Sequence, residues 1–175
     1  MLPLASRLLD TPMGPMTAVA GDSGLWLLKF DGRRMLSTNL QRVRERSGRD
    51  IAEGNHPLLD QTEIELNEYF AGTRPAFDVR LDYSGTPFQR LVWEALLRIP
   101  WGTTISYGAL ATRLGRPDAS RAVARANGDN RIAVIIPCHR VIGADGSLTG
   151  YGGGLDRKRR LLELEASATL FSTSG

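Results

Sequence analysis

Cysteine occurs once in this chain of 175 residues, at position 138. One thiol cannot close an internal disulfide, and a zinc site built from cysteines is equally excluded. Histidine occurs only at positions 56 and 139, which leaves few groups for acid–base chemistry at neutral pH. Long hydrophobic runs are missing too. The most useful one, Ile132 to Ile136, is far too short to cross a bilayer. The opening MLPLASRLLDTP has no basic start followed by a long apolar stretch, so it does not read as a secretory signal. A soluble, cytoplasmic chain with no membrane partner is therefore expected. Lysine is scarce as well, since 20 of the 22 basic residues are arginine. Arginine suits phosphate forks and stacking, a bias that genome composition can also produce.

What is present is ordinary for a folded protein. A hydrophobic fraction of 42% with 23% charged residues disfavours disorder, collagen and coiled coil, and the length suits one or two small domains. The net charge of +3 is unevenly spread. Residues 1–84 hold 10 basic and 12 acidic side chains, whereas residues 85–175 hold 12 and 7. A basic second half points to a polyanion, against the plainer alternative of a solvated face.

Turn formers divide the first half. Arg7–Thr11 and Thr17–Ala20 flank Pro12-Met13-Gly14-Pro15, and Gly21-Asp22-Ser23-Gly24 precedes the apolar run Leu25–Phe30. This pattern predicts a meander of three strands. Residues 31–54 are polar and arginine-rich and read as a short helix or a mobile loop. Leu58 to Phe70 carries apolar residues at helical spacing, ended by Ala71-Gly72. Phe77–Leu81 alternates as one further strand. Tyr83-Ser84-Gly85 marks the expected boundary, giving domains 1–84 and 85–175.

The second half reads as mostly helical. Thr86-Pro87 is an N-cap with proline at the first helical position, followed by a stripe of Val92, Ala95, Leu96 and Ile99. Ser106 caps a short helix through Leu114, with Gly115 as its stop. Asp118 is expected to cap Ala119–Asn127, and the two helices make a helix-turn-helix candidate. Ile132–Ile136 reads as a buried strand leading into Pro137-Cys138-His139-Arg140-Val141. A glycine-rich loop, Gly146–Gly154, and a last helix, Asp156–Glu165, complete the chain.

Cys138 carries the chemical argument. A lone cysteine after an apolar strand is by default a small buried hydrophobe. Its neighbours His139 and Arg140 favour a thiolate, the form that attacks carbon. Hydrolysis fits badly, because it needs a histidine free to shuttle protons, and adjacent side chains on an extended chain point apart. A histidine acting on the thiol through a water is easier to place, and it suits stoichiometric chemistry.

Ile136-Pro137-Cys138-His139-Arg140-Val141-Ile142 resembles the active-site signature of the O6-alkylguanine-DNA alkyltransferases, the methylated-DNA–protein-cysteine methyltransferases. Phe88-Gln89-Arg90-Leu91-Val92-Trp93, Ile99-Pro100-Trp101-Gly102, Ser106-Tyr107, Ser120-Arg121-Ala122-Val123, Gly150-Tyr151-Gly152-Gly153-Gly154 and Leu161-Leu162-Glu163-Leu164-Glu165 follow in family order. The likeness covers about residues 85–165. Thr11-Pro12-Met13-Gly14-Pro15 and Tyr69-Phe70-Ala71-Gly72 match more loosely. The resemblance implies a small ribonuclease-H-like N-terminal domain and a mostly helical C-terminal domain carrying a helix-turn-helix, together an α/β protein. It implies irreversible, single-use transfer of the alkyl group from O6-alkylguanine, and from O4-alkylthymine, in duplex DNA, after the damaged nucleotide is flipped out.

By the same resemblance Cys138 is the nucleophile, His139 its water-mediated base and Glu165 the group that orients His139. Asn130 braces the cysteine turn, and Tyr107 helps turn the nucleotide and supplies a proton to departing guanine. Arg121 enters through the minor groove and fills the gap left by the extruded base, with Ser120, Ala122 and Arg125 on the same DNA-facing helix. Backbone groups at Cys138 and Val141 read the guanine edge, with Tyr151, Gly152 and Asn127 completing the pocket. No cofactor or metal is implied, since the acceptor is the protein. The partner is double-stranded DNA containing alkylated guanine, bound by a monomer, with cooperation along DNA left open. Departures occur at Arg131 (proline in many members), Ala124 (glycine), Ser120 (alanine) and Gly152 (serine in some); they bear on substrate range and DNA affinity. Two rivals stand beside this reading: a lesion-binding or regulatory DNA-binding protein without transfer, and a cysteine hydrolase with repeated turnover.

Overall fold

The computed structural model describes residues 1–32 and 35–173, and divides into two compact units, Met1–Ser84 and Gly85–Gly175. The first is built on a sheet. Strands β1 (Leu4–Leu9), β2 (Met16–Gly21) and β3 (Gly24–Phe30) form an antiparallel meander. Helix α1 (Met35–Ser47) then leads to β4 (Ile51–Glu53), which pairs parallel with β1, and helix α2 (Pro57–Phe70) follows. The strand order is β3-β2-β1-β4. Alternation along the strands gives the sheet two faces. Leu4, Val19 and Leu27 pack with Val43 of α1 on one face. On the other, Arg7 reaches Asp60 and Glu63 of α2.

Two expectations for this unit need revision. Residues 31–54, read as helix or mobile loop, hold a regular helix and the edge strand β4, with Arg33 and Arg34 outside the described residues. Three residues are too few for a periodicity to show. Phe77–Leu81 is not a strand and makes a single parallel bridge, Leu25 to Leu81. The buried carboxylate of Glu65 accepts the backbone N–H groups of Asp78 at 3.0 Å and Val79 at 3.1 Å, donors that a longer ladder would have needed. Phe77 packs its ring 5.5 Å from that of Tyr69. Gly24, at φ +154°, is where this segment passes: a Cβ there would lie 2.7 Å from the backbone of Leu81 and Asp82.

The second unit is helical, with one short parallel strand pair. Helix α3 (Pro87–Leu96) opens with a capping box, in which Thr86 and Gln89 exchange side-chain and backbone bonds,. Strand β5 (Ile105–Ser106) runs into α4 (Tyr107–Arg113), whose N-cap is Ser106. A turn over residues 114–119, with Gly115 at φ +71°, joins α4 to α5 (Ser120–Gly128). Asp118 does not cap α5; the N-cap position is Ala119, which makes no side-chain cap bond. Strand β6 (Val141–Ile142) pairs with β5, and α6 (Leu155–Thr173) closes the unit. The last helix thus continues well past Glu165.

The buried strand expected at Ile132–Ile136 is instead a coiled turn. Its backbone closes on itself, from Ile135 N–H to Ala133 O at 2.8 Å and from Ile136 N–H to Ile132 O at 3.0 Å. Val134 has φ +71°, the one positive value outside glycine among the described residues, a strained conformation for a β-branched side chain. An apolar run signals burial, and burial alone does not separate a strand from a packed turn.

Candidate active site

Asn130 organises this turn. Its Nδ2 donates to Ile136 O at 2.8 Å and Ile132 O at 3.4 Å, while its Oδ1 accepts Ile132 N–H at 3.0 Å. A side-chain amide thereby takes the part of a neighbouring strand. Pro137 then turns the chain into a 3-10 segment, Cys138–Arg140. Cys138 is a buried thiol in no disulfide, at the start of a tight turn rather than at a strand end, and Asn127 Nδ2 contacts its carbonyl at 3.4 Å.

His139 and Glu165 form the next layer. Both are fully buried, and Nε2 of His139 lies 2.7 Å from Glu165 Oε1. Burial alone would raise the Glu165 carboxyl, but bonds from His139 and the Arg140 guanidinium hold it at about 2. Burial pushes His139 below its ordinary value, opposed by Glu165 and aided by the charges of Arg140 and Lys158. A neutral imidazole facing a carboxylate must carry its proton on Nε2. Nδ1, which has no hydrogen-bond partner among the described residues, then offers the lone pair.

Two residues extend the cluster beyond the sequence expectation. Arg140, expected to favour the thiolate, instead directs its donors to Glu165 at 2.9 and 3.0 Å and to Ile99 O at 2.6 Å. Lys158 is fully buried, donates to Thr149 O at 2.7 Å and lies 5.9 Å from the Tyr107 ring centroid. Burial depresses its ammonium. Lys158 gave one weak signal in sequence, as the sole lysine in an arginine-rich half.

Tyr107 donates to Thr149 O at 3.1 Å, and burial raises its phenol. Tyr151 has a buried hydroxyl without a partner among the described residues, and burial, then the nearby Cys138, push it well up. Both phenols are therefore protonated at neutral pH. Val141 is buried on β6, whereas Gly152 is exposed in the glycine-rich loop. Cys138, His139, Glu165, Asn130, Asn127, Tyr107 and Tyr151 thus cluster around one turn. Arg121, Ala122 and Arg125 instead line a groove of about 420 Å³ with Phe88, Gln89 and Asp129, and Ser120 is half-buried at the start of α5. The arrangement provides a buried sulfur nucleophile, a neutral base, protonated phenols and a separate arginine-bearing helix.

Known proteins resemble this chain over most of its length. Residues 87–167 match the family described as 6-O-methylguanine DNA methyltransferase, DNA binding domain. A methylated-DNA–protein-cysteine methyltransferase of Mycobacterium tuberculosis is 51% identical over 161 residues, covering 92% of each chain. The crystal structure of M. tuberculosis O6-methylguanine methyltransferase has a TM-score of 0.80 at 46% identity, covering 96% of this chain and 99% of that one. M. tuberculosis OGT in complex with DNA gives 0.79 at 47% identity, with 94% of both chains covered.

Proposed function

The chain belongs to the methylated-DNA–protein-cysteine methyltransferase family, and on that premise we propose how it repairs alkylated DNA. The alkyl carbon on guanine O6 is shielded in the stacked duplex, so the damaged nucleotide is first turned out of the helix. Arg121 fills the space it leaves, while Ser120, Ala122 and Arg125 lie along the DNA. The guanine edge meets backbone groups at Cys138 and Val141, with Asn127, Tyr151 and Gly152 around it. The Cys138 thiol gives its proton through a water to Nδ1 of His139, and Glu165 holds that ring by Nε2–H. Sγ then attacks the alkyl carbon. An S–C bond forms, the C–O6 bond breaks, and guanine departs with the electron pair and receives the Tyr107 hydroxyl proton.

The thioether has no leaving group to restore the thiol, so each chain acts once. O4-alkylthymine presents the same alkyl-on-oxygen chemistry and is a second substrate. Residues 85–175 form the DNA-binding and acceptor domain, residues 1–84 the ribonuclease-H-like one.

The single observation supporting this reading most strongly is the buried thiol of Cys138 directly before a histidine held 2.7 Å from a buried carboxylate. Intact-protein and peptide mass after mixing with excess duplex carrying one O6-methylguanine tests it. The expected outcome is a gain of one CH₂ on the Cys138 peptide, stopping at one equivalent and absent in Cys138→Ala. An unmodified peptide from DNA-bound, reduced protein would leave a lesion-binding module.

A further inference from the structure

Arg140 has no part in the transfer step as written, yet it is almost fully buried and makes four hydrogen bonds. A buried ion pair seldom stabilises a protein more than apolar residues of the same volume, so stability alone does not account for it. The geometry supplies another reason. Glu165 Oε1 accepts from both His139 Nε2 and Arg140, and Oε2 accepts from Arg140 Nε at 3.0 Å. Ile99 O, in the turn after α3, fixes the guanidinium from a third side at 2.6 Å.

Left alone in the interior, a carboxylate 2.7 Å from an imidazole draws a proton onto that ring, because burial penalises an isolated charge. A protonated His139 could not accept the thiol proton. We propose that Arg140 is a positioning residue for alkyl transfer: its fork holds Glu165 as an anion against Nε2–H of His139, keeping the imidazole neutral with its Nδ1 lone pair free for the thiol proton. This rests on the reading of Cys138 as acceptor given above. The other groups facing His139 are Lys158 from α6 and Cys138 from its own turn, with Tyr151 of the glycine-rich loop beside Cys138 and Glu165.

The test is the pH profile of single-turnover transfer from an O6-methylguanine duplex, for the wild type, Arg140→Gln and Arg140→Lys. Arg140→Gln is expected to be about tenfold slower on the acid limb, which should lie about one unit higher, with the gap already narrower at pH 7. The gap should close at higher pH, where the imidazole is neutral in both proteins. Arg140→Lys keeps the charge but loses the fork, so its limb should stay in place at a reduced rate. An equal loss at every pH, or an equal displacement in Arg140→Lys, would overturn the proposal. Should Arg140→Gln not fold, ¹⁵N spectra of wild-type His139 decide: a neutral Nε2–H ring at pH 7 is expected, and an imidazolium refutes it. Wild-type protein that takes up no alkyl group in this assay would refute the reading of Cys138 instead.

Discussion

Residues 1–84 bury apolar side chains and keep their ion pairs near the surface, whereas residues 85–175 bury an ion pair. In the first unit the buried polar groups among the described residues are Asn39, Thr62 and Glu65. Thr62 bonds a carbonyl of its own helix, and Glu65 holds two backbone N–H groups. Its salt bridges, Arg7 to Asp60 and Arg74 to Asp78, have exposed carboxylates. The second unit buries Asn127, Asn130, Arg131, His139, Arg140, Lys158 and Glu165. Desolvating that many polar groups is costly; His139, Arg140 and Glu165 bond one another, while Asn127, Asn130 and Lys158 bond backbone groups. Such local cost concentrates where a protein does chemistry. The difference separates a unit whose interior is shaped by packing from one whose interior is shaped by proton placement.

The sharpest test of that contrast removes Glu165. Glu165→Ala strands Arg140 and His139 in the interior and should cost about 3–5 kcal/mol. Urea unfolding followed by Trp93 and Trp101 fluorescence, in a Trp26→Phe background, reports on the second unit alone.

Acid should act in the same place. Glu165 is held at about 2 in the folded chain against an ordinary 4.5. Its contribution is therefore full above pH 4.5 and declines as pH falls towards 2. The urea midpoint of the second unit should drop across that window, and Glu165→Gln should flatten the drop. An unchanged midpoint between pH 5 and 2 in the wild type would contradict the buried anion.

Removing Glu65 from the first unit should matter less. Glu65→Ala leaves the Asp78 and Val79 N–H groups unsatisfied, for about 1–3 kcal/mol, read from Trp26 fluorescence. Smallest of all is the surface pair. Arg7→Met or Asp60→Asn should change stability by less than about 1 kcal/mol, and a larger loss would break the division between the units.

Legibility in the sequence followed the range of the signal. The capping residues Thr86 and Ser106, the α2 helix and the meander are local patterns, and the structure places them as expected, except that the first strand runs over Leu4–Leu9 rather than Arg7–Thr11. The heptad around Cys138 pointed to the chemistry through its resemblance to a family's active-site signature. Phe77–Leu81 and Ile132–Ile136 misled for one shared reason: in both, a side chain outside the apolar run takes backbone bonds. Glu65 does so for the first and Asn130 for the second. Arg140 was visible as a cation beside the thiol, but its partners, Glu165 and Ile99 O, lie 25 and 41 residues away.

By itself the sequence singled out Cys138 as the candidate nucleophile and determined most of the helices and which half is basic, since each depends on residue type and near-neighbour spacing. Only the tertiary structure decided the charge states at the centre. Whether His139 is neutral, Glu165 ionised and Arg140 turned to the carboxylate depends on burial and on contacts across the fold, and no local pattern encodes either.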